Sequence, residues 1–439
     1  MADYVPLSGD GKEKGKGKEK EEEEEREGFS KEKRSRRASA RLESLDVFRG
    51  LSVALMIYVD YAGSIFPSIA HSPWNGIRLA DFVTPFFLFI VGVSVSLVYK
   101  NVSNRYQSSQ KAMLRAVKLF MLGVLLQGGY FHGLNSLTFG VDIEKIRWLG
   151  ILQRIAIGYI IAALCEIWFS SLYRQNVGGG FFRNYYLQWI VVFSLSGIHL
   201  GLLYGLYVPD WQYKVQQTTS SSYSLGHDYF LKSVKCGVRG DLGPACNSAG
   251  MIDRYVLGIE HLYTKPAYRN LQECSISRDP KDADYLPSWC HAPFDPEGIL
   301  GSLMAAVTCI IGVQFGHVLV QVEDHKDRLI HWLLLSISSF SLGLMLTFMG
   351  FPINKQLYST SYMLLTTGAA GFTFCVLYLL VDVCGYRWLM FVLKWIGKHS
   401  LSIFILVASN IAIILIQGFY WRDAKNNIVH WFVSLFVQK

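Results

Sequence analysis

One histidine in a tight connection, two aspartates near it, and a set of charges at the ends of long apolar runs are the residues of this chain whose types suit chemistry. His71 leads the set, because imidazole titrates near neutral pH and serves as general base or as nucleophile. Asp60 precedes it and Asp81 follows it, both within a few turns of chain. A carboxylate beside an imidazole fixes its tautomer and stabilises the imidazolium, so His71, Asp60 and Asp81 form the candidate catalytic group. Ser72, Pro73, Trp74 and Asn75 follow the histidine and supply a rigid turn, an aromatic wall and an amide. Trp74 and Asn75 are therefore candidates for holding a substrate.

The same role falls to Gln153, Arg154, Asp295, Glu297, Asn354 and Lys355. Arg154, Asp295, Glu297 and Lys355 lie in an apolar run or at its mouth, where an ionisable side chain is costly enough to signal function by default, and Gln153 and Asn354 stand next to Arg154 and Lys355. Taken singly, each also fits a structural role: Asp60 as the ion-pair partner of Arg154, Asp81 or Glu297 as the complement of a helix N-terminus. Taken together they are harder to explain by packing, because separate segments aim charge at one face. His132, His227, His261 and His291 fall on the same side without carboxylate flanks and rank lower.

Long apolar elements must position these residues. Of the 439 residues 51% are hydrophobic and 17% charged, and the charged ones crowd into the first 46 positions and the gaps between apolar runs. A soluble chain spreads them over its surface. A membrane-crossing helix needs about 20 apolar residues, and the chain offers about nine such runs. They lie near Val47 to Phe66, Leu79 to Tyr99, Ala112 to Gly129, Leu149 to Phe169, Tyr186 to Tyr207, Gly298 to Val320, Leu329 to Gly350, Thr360 to Val381 and Ser400 to Phe419. The expected fold is all-α, a polytopic helical membrane bundle with one long loop.

Residues 1–46 read as a disordered, charged cytosolic tail, with the acidic block Glu21 to Glu25 and almost no large apolar residue. Residues 47–425 read as the membrane-embedded domain, and 426–439 as a short segment that does not span. A cytosolic tail puts alternate loops with Lys100, Arg105, Lys111, Arg174, Arg183, Lys326, Arg328, Arg387, Lys394 and Lys398 on the same side, as the positive-inside rule requires. The opposite, lumenal or extracellular side receives the loop 208–297 with Cys236, Cys246, Cys274 and Cys290. Disulfides persist in such a compartment, and four cysteines allow three pairings. That location is an endomembrane compartment, lysosome- or vacuole-like, or the plasma membrane.

At the cytosolic mouth Arg49 sits in the first turns of the first run, and Lys398, His399 and Ser400 introduce the ninth. Backbone amides at a helix N-terminus with a nearby Lys or Arg suit phosphate, so these four are candidates for a phosphorylated cosubstrate. No Cys-x-x-Cys or His-Glu-x-x-His pattern points to a metal.

Several stretches match in order: Leu45-Asp46-Val47-Phe48-Arg49-Gly50, Ala70-His71-Ser72-Pro73-Trp74-Asn75-Gly76, Ala80-Asp81-Phe82-Val83-Thr84-Pro85, Gly150-Ile151-Leu152-Gln153-Arg154, Phe294-Asp295-Pro296-Glu297-Gly298-Ile299-Leu300-Gly301 and Pro352-Ile353-Asn354-Lys355. Together the chain from about residue 41 to 425 resembles the heparan-α-glucosaminide N-acetyltransferase family. The resemblance implies an acyltransferase that takes acetyl from cytosolic acetyl-CoA, its cosubstrate, to a glucosamine-like acceptor on the lumenal side, with His71 as the catalytic histidine. It implies a carbohydrate partner and the lipid bilayer around it, and allows a homodimer. The chain departs from the animal lysosomal enzyme in carrying a charged tail where that enzyme has a lumenal domain and an extra span. It also ends in a run too short to cross.

Two other classes compete. Another membrane sugar O- or N-acyltransferase would share the histidine and differ in acyl group or acceptor. A secondary transporter would use charges at both mouths, although no pair of matching broken spans marks two halves. Nucleic-acid binding is not indicated, since the formal charge of +8 resides in the tail and the cytosolic loops.

Overall fold

An apolar run in lipid must satisfy its own backbone N–H and C=O groups, which an α-helix does within one segment. The computed structural model is accordingly mostly helical; it describes residues 42–63, 66, 68–100, 102–127, 146–173, 185–216, 229–263, 266–275, 287–292 and 296–409. The tail 1–41, Asp295 and the segment 410–439 lie outside the described residues.

Six described helices are long and apolar enough to cross a membrane: Leu79–Val98, Ile151–Phe169, Tyr186–Gly205, Ile299–Gln321, His325–Phe348 and Thr360–Val383. A seventh is added if Phe391–Lys398 and Ser400–Ala408, bent by 74° at the break between them, count as one. About nine runs were expected from hydropathy. The runs at Val47 and Ala112 are helices too, α1 (Glu43–Ala62) and α3 (Arg105–Gln127). Asp46, Arg49 and Asp60 in α1, and Lys111, Arg115 and Lys118 in α3, keep both out of the strongly apolar set. Helix α1 begins before Val47, so three residues assigned to the tail, Ser44, Leu45 and Asp46, are buried helix.

The remaining helices are α2 (Val83–Val98), α4 (Ile151–Tyr173), α5 (Tyr186–Gly205), α6 (Ser248–Leu257), α7 (Ile299–Gln321), α8 (His325–Phe348), α9 (Thr360–Tyr378), α10 (Phe391–Lys398) and α11 (Ser400–Ala408). Helix α7 is the axis of the bundle: its residues are buried along nearly its whole length, and it packs on α2, α4 and α5. Hydrophobicity cannot drive helix association in lipid, so close backbone approach does. A Cβ on Gly92 of α2 would lie 2.0 Å from the Cys309 carbonyl of α7, and one on Gly312 would lie 2.4 Å from the Phe89 carbonyl. Gly312 and Gly316 thus form a small-residue stripe where the two helices cross.

The described residues of the expected loop 208–297 form a folded subdomain, here called the crown, which amends the all-α reading. Strands β1 (Trp211–Gln216) and β2 (Tyr229–Val234) pair antiparallel, Trp211 opposite Val234. Asn247 caps α6 by accepting from the Gly250 amide at 2.7 Å. Of the three possible pairings the structure takes the sequential one, Cys236–Cys246 and Cys274–Cys290. Tyr213, Val234, Leu262 and Tyr268 build the crown's apolar core together with Trp74, Leu300 and Leu357. Those last three come from outside the crown, and each lies within three residues of His71, Glu297 or Lys355. One apolar core therefore fixes three otherwise separate segments at the same mouth.

Candidate active site

Asp81 organises the first segment. Its carboxylate is fully buried, and Oδ2 accepts the backbone amides of Ser72 at 3.2 Å and Arg78 at 2.9 Å. Its own carbonyl accepts the Tyr362 hydroxyl at 2.6 Å. Oδ1 is left to face His71 Nδ1 at 3.0 Å, while the imidazole remains 45% exposed. The connection after α1 is closed by Gly76 at φ +106°, a conformation that suits glycine.

Lys355 arrives from a turn between α8 and α9. Asn354 shapes that turn: Oδ1 accepts the Leu357 amide at 2.8 Å, and its backbone forms an isolated bridge with Asn75. The turn places Lys355 Nζ 2.9 Å from His71 Nδ1, 3.6 Å from Asp81 Oδ1 and 4.0 Å from Glu297 Oε1. Glu297 in turn pairs with Arg154, which is only 3% exposed, and with Arg147 at 3.5 Å. Burial would push the Glu297 carboxyl up, but Arg154, Lys355 and Arg147 outweigh it and hold the carboxyl well below the usual range.

His71 Nδ1 thus faces an acceptor and a donor at nearly equal distances. When Nδ1 carries the proton it donates to Asp81, and Nε2 keeps a free lone pair for chemistry. When Lys355 donates to Nδ1, the proton moves to Nε2 and that lone pair is lost. The negative charge of Asp81, fixed by two backbone amides, favours the first state, with Lys355 drawn to the two carboxylates.

Two cavities meet at this cluster. One, of about 290 Å³, runs between helices and is lined by Met56, Val59, Asp60, Leu126, Gln153 and Phe404 among others. The other, of about 540 Å³, lies under the crown and is lined by Arg147, Tyr263, Arg269, Asn270 and Gln356. His71, Glu297 and Lys355 belong to both walls. An imidazole shared by two cavities and oriented by a buried carboxylate can reach the occupants of both.

Residues 41–176 match the family model described as heparan-alpha-glucosaminide N-acetyltransferase, catalytic. The chain is 31% identical over 393 residues to the heparan-alpha-glucosaminide N-acetyltransferase of Mus musculus, which covers 84% of this chain and 54% of that protein. Against the protein of that name from Homo sapiens it is 30% identical over 386 residues, covering 83% and 52%. The chain belongs to the heparan-alpha-glucosaminide N-acetyltransferase family. It spans about half the length of the curated relatives it matches. The family-model match contains Asp60, His71, Asp81 and Arg154 and ends before Glu297 and Lys355, which only the fold brings to them.

Within this member of the N-acetyltransferase family, several residues singled out from sequence take other places. Trp74 lines neither of these two cavities: it is buried in the crown core, donates Nε1–H to the Leu242 carbonyl at 3.0 Å and meets Tyr268 edge-on. Apolar surface gains more from that core than from a wet cavity. Arg154 pairs with Glu297 instead of Asp60, because the packing of α7 on α4 brings that carboxylate to it. Asn354 is buried as the turn's anchor, and its Nδ2 donates to Asn75 Oδ1 at 3.3 Å. Asp60 and Gln153 do line the inter-helical cavity. Asp295 lies outside the described residues.

Arg49, Lys398, His399 and Ser400 gather at the other end of α1. A Cβ on Gly397 would lie 1.8 Å from the Asp46 carbonyl, so α10 crosses α1 beside Arg49 and its break at His399 follows at once. Arg49 itself donates to Asp46 Oδ1 at 3.2 Å and to Ser94 Oγ at 3.1 Å. From that break α11 runs to the inter-helical cavity, which Phe404, Val407 and Ala408 line. Along α1 the rise from Arg49 to Asp60 is about 16 Å.

Sequence reasoning passed over Arg147, Tyr263, Arg269, Asn270 and Gln356, which lie in connections where no hydropathy signal marks them. It also passed over Glu166 and His317, although both are ionisable residues inside spans. Glu166 Oε2 lies 3.1 Å from His317 Nε2 and accepts from Gln188 at 2.9 Å. Gln314 extends the chain to Gln188, tying α4, α5 and α7 together far from His71.

Proposed function

We propose that this protein is a transmembrane acetyltransferase that moves the acetyl group of cytosolic acetyl-CoA to an amino-sugar acceptor on the lumenal or extracellular side. The observation that carries the reading is His71: one imidazole, oriented by Asp81, shared by an inter-helical cavity and a cavity under the crown. The first cavity is walled largely by Met56, Val59, Leu126, Phe404 and Val407, which suits an extended, mostly apolar acyl-carrying arm. Its path begins beside Arg49, Lys398, His399 and Ser400, which would meet the donor's phosphates. The second cavity offers Arg147, Asn270, Glu297 and Gln356, polar groups that suit a sugar. Positive charge at the Arg49 mouth and two disulfides in the crown support the assigned sidedness.

In this mechanism Asp81 holds the Nδ1 proton, and Nε2 is the working atom. Nε2 either accepts the acetyl carbon and hands it on, or takes the proton of the attacking amine. In direct transfer the C–N bond to the sugar forms as the C–S bond breaks, and the imidazole carries the amine proton to the departing thiolate. In the covalent order the C–S bond breaks as the Nε2–C bond forms and the thiolate leaves; the amine then forms the C–N bond, the Nε2–C bond breaks, and the freed Nε2 takes the amine proton. Lys355 stands where it can polarise the thioester carbonyl or stabilise its developing negative charge. Asp60 lines the inter-helical cavity beside His71 and helps hold the imidazole. The test is transfer of labelled acetyl from acetyl-CoA to glucosamine by the purified protein in detergent. Transfer that disappears in a folded His71→Ala variant is expected; full transfer by that variant would overturn the assignment.

A further inference from the structure

Asp253 lies on α6 of the crown and is almost fully buried. Helix α6 packs on α5 and on α7, and its start is fixed by the Asn247 cap and by Ser248 Oγ donating to the Leu203 carbonyl at 2.9 Å. From there Asp253 Oδ1 accepts the backbone amide of Ile299 at 2.9 Å. Ile299 is the first residue of α7, two residues after Glu297. The amides of a helix's first turn have no partner within the helix, so this carboxylate determines how α7 begins and where the preceding turn points.

Gly298 shows how close the approach is. A Cβ at that position would lie 2.2 Å from Asp253 Oδ1, so the contact requires glycine beside Glu297. The other oxygen, Oδ2, is buried with no hydrogen-bond partner among the described residues. Asp253 lines a pocket of about 10 Å³, room for one water, whose wall also includes Arg147, His261 and Glu297. The charges of Arg154, Arg147 and Arg254 all bear on Asp253. A buried carboxylate with one oxygen uncommitted is costly, and the charges of two arginines of the site, Arg154 and Arg147, offset part of that cost.

We infer that Asp253 is a positioning residue: by holding the first amide of α7 it sets Glu297 in register with Arg154, Arg147 and Lys355, and through Lys355 with His71. The crown is then part of the catalytic apparatus, because it supplies the group that aims Glu297. This inference rests on the acetyl-transfer reading for its kinetic consequence and on geometry alone for its structural one.

The test combines both on the purified protein. Asp253→Ala is expected to speed amide hydrogen exchange at Ile299 and to lower kcat for acetyl transfer at least tenfold, with KM for acetyl-CoA within about twofold of wild type. Asp253→Asn keeps an oxygen for the Ile299 amide and should recover kcat to within about threefold of wild type. Gly298→Ala should reproduce the kcat loss by displacing the carboxylate, and should add nothing in the Asp253→Ala background, since the contact is already gone. Unchanged exchange at Ile299 in Asp253→Ala, or equal loss in the Ala and Asn variants, or additive losses in the double variant, would overturn the inference. If Asp253→Ala does not fold, the Asn and Gly298→Ala variants carry the same comparison. Absence of transfer by the wild type would refute the acetyl-transfer reading, while the exchange result at Ile299 would still decide the structural claim.

Discussion

Replacing Asp81 by Asn keeps its shape and exposes the tautomer argument directly. Oδ2 of Asp81 takes two backbone amides, from Ser72 and Arg78, so in the Asp81→Asn variant the side-chain oxygen must occupy that place. The reverse orientation would aim NH2 at two N–H donors and leave two buried groups unsatisfied, each at about 1–3 kcal/mol. The amide NH2 is thereby forced toward His71 Nδ1, which lies 3.0 Å from the native oxygen. A donor there makes Nδ1 an acceptor and drives the ring proton onto Nε2, the atom that must take the acetyl carbon or the amine proton. The loss should reach the scale of general acid–base catalysis, about 10²–10⁴-fold in kcat, with little change in fold because both backbone amides stay satisfied. The assay is steady-state transfer of labelled acetyl, with the tautomer read by nitrogen NMR of labelled histidine. An Asp81→Asn protein that retains kcat within about threefold of wild type, or whose His71 still carries its proton on Nδ1, would refute this reasoning.

Glu297→Gln leaves Arg154, 3% exposed, without its counter-charge; breaking a buried pair from one side costs about 3–5 kcal/mol, and thermal unfolding should fall accordingly. Equal stability of variant and wild type would show that Glu297 does not hold the arginines. The Asp253 carboxyl is pushed up to about 6 by burial, above its unfolded value of about 3.9. The native state therefore binds the extra proton first, and this group's contribution to stability grows as pH falls from about 7 through about 6 toward about 4. Thermal unfolding at about pH 7 and about pH 5 should show a gain on acidification that Asp253→Asn lacks; the same gain in both proteins would contradict it. Trp74→Ala empties part of the crown core at about 3–5 kcal/mol, and limited proteolysis should cut the crown more readily; wild-type resistance would mean that Trp74 is not its anchor.

The chain's own pattern made the membrane bundle legible, because a helix is the local answer to an apolar run in lipid and needs no partner to be recognised. His71 and Asp81 were legible for a related reason: they belong to one short connection, where proximity in sequence guarantees proximity in space. Asp60 was placed on the cavity wall by the same closeness. Arg154 illustrates the limit. Its charge inside a span marked it as meaningful, but its partner is Glu297, brought in by the packing of α7 on α4, and no spacing encodes that.

Trp74 shows the opposite error. An aromatic beside a catalytic histidine reads as a cavity wall until the crown folds over it and offers a larger apolar surface to bury against. Asp253 and Arg147 look from sequence like solvated charges in a connecting segment. Only burial against α7 gives them consequence. By itself the sequence determined that the chain is mostly helical with long membrane-crossing runs, and which connection carries the imidazole, since each depends on local composition. The tertiary structure decided which cysteines pair, which carboxylate meets which cation, and that two cavities share one imidazole, because those follow from contacts between segments far apart in the chain, such as Lys355 with His71 at a separation of 284.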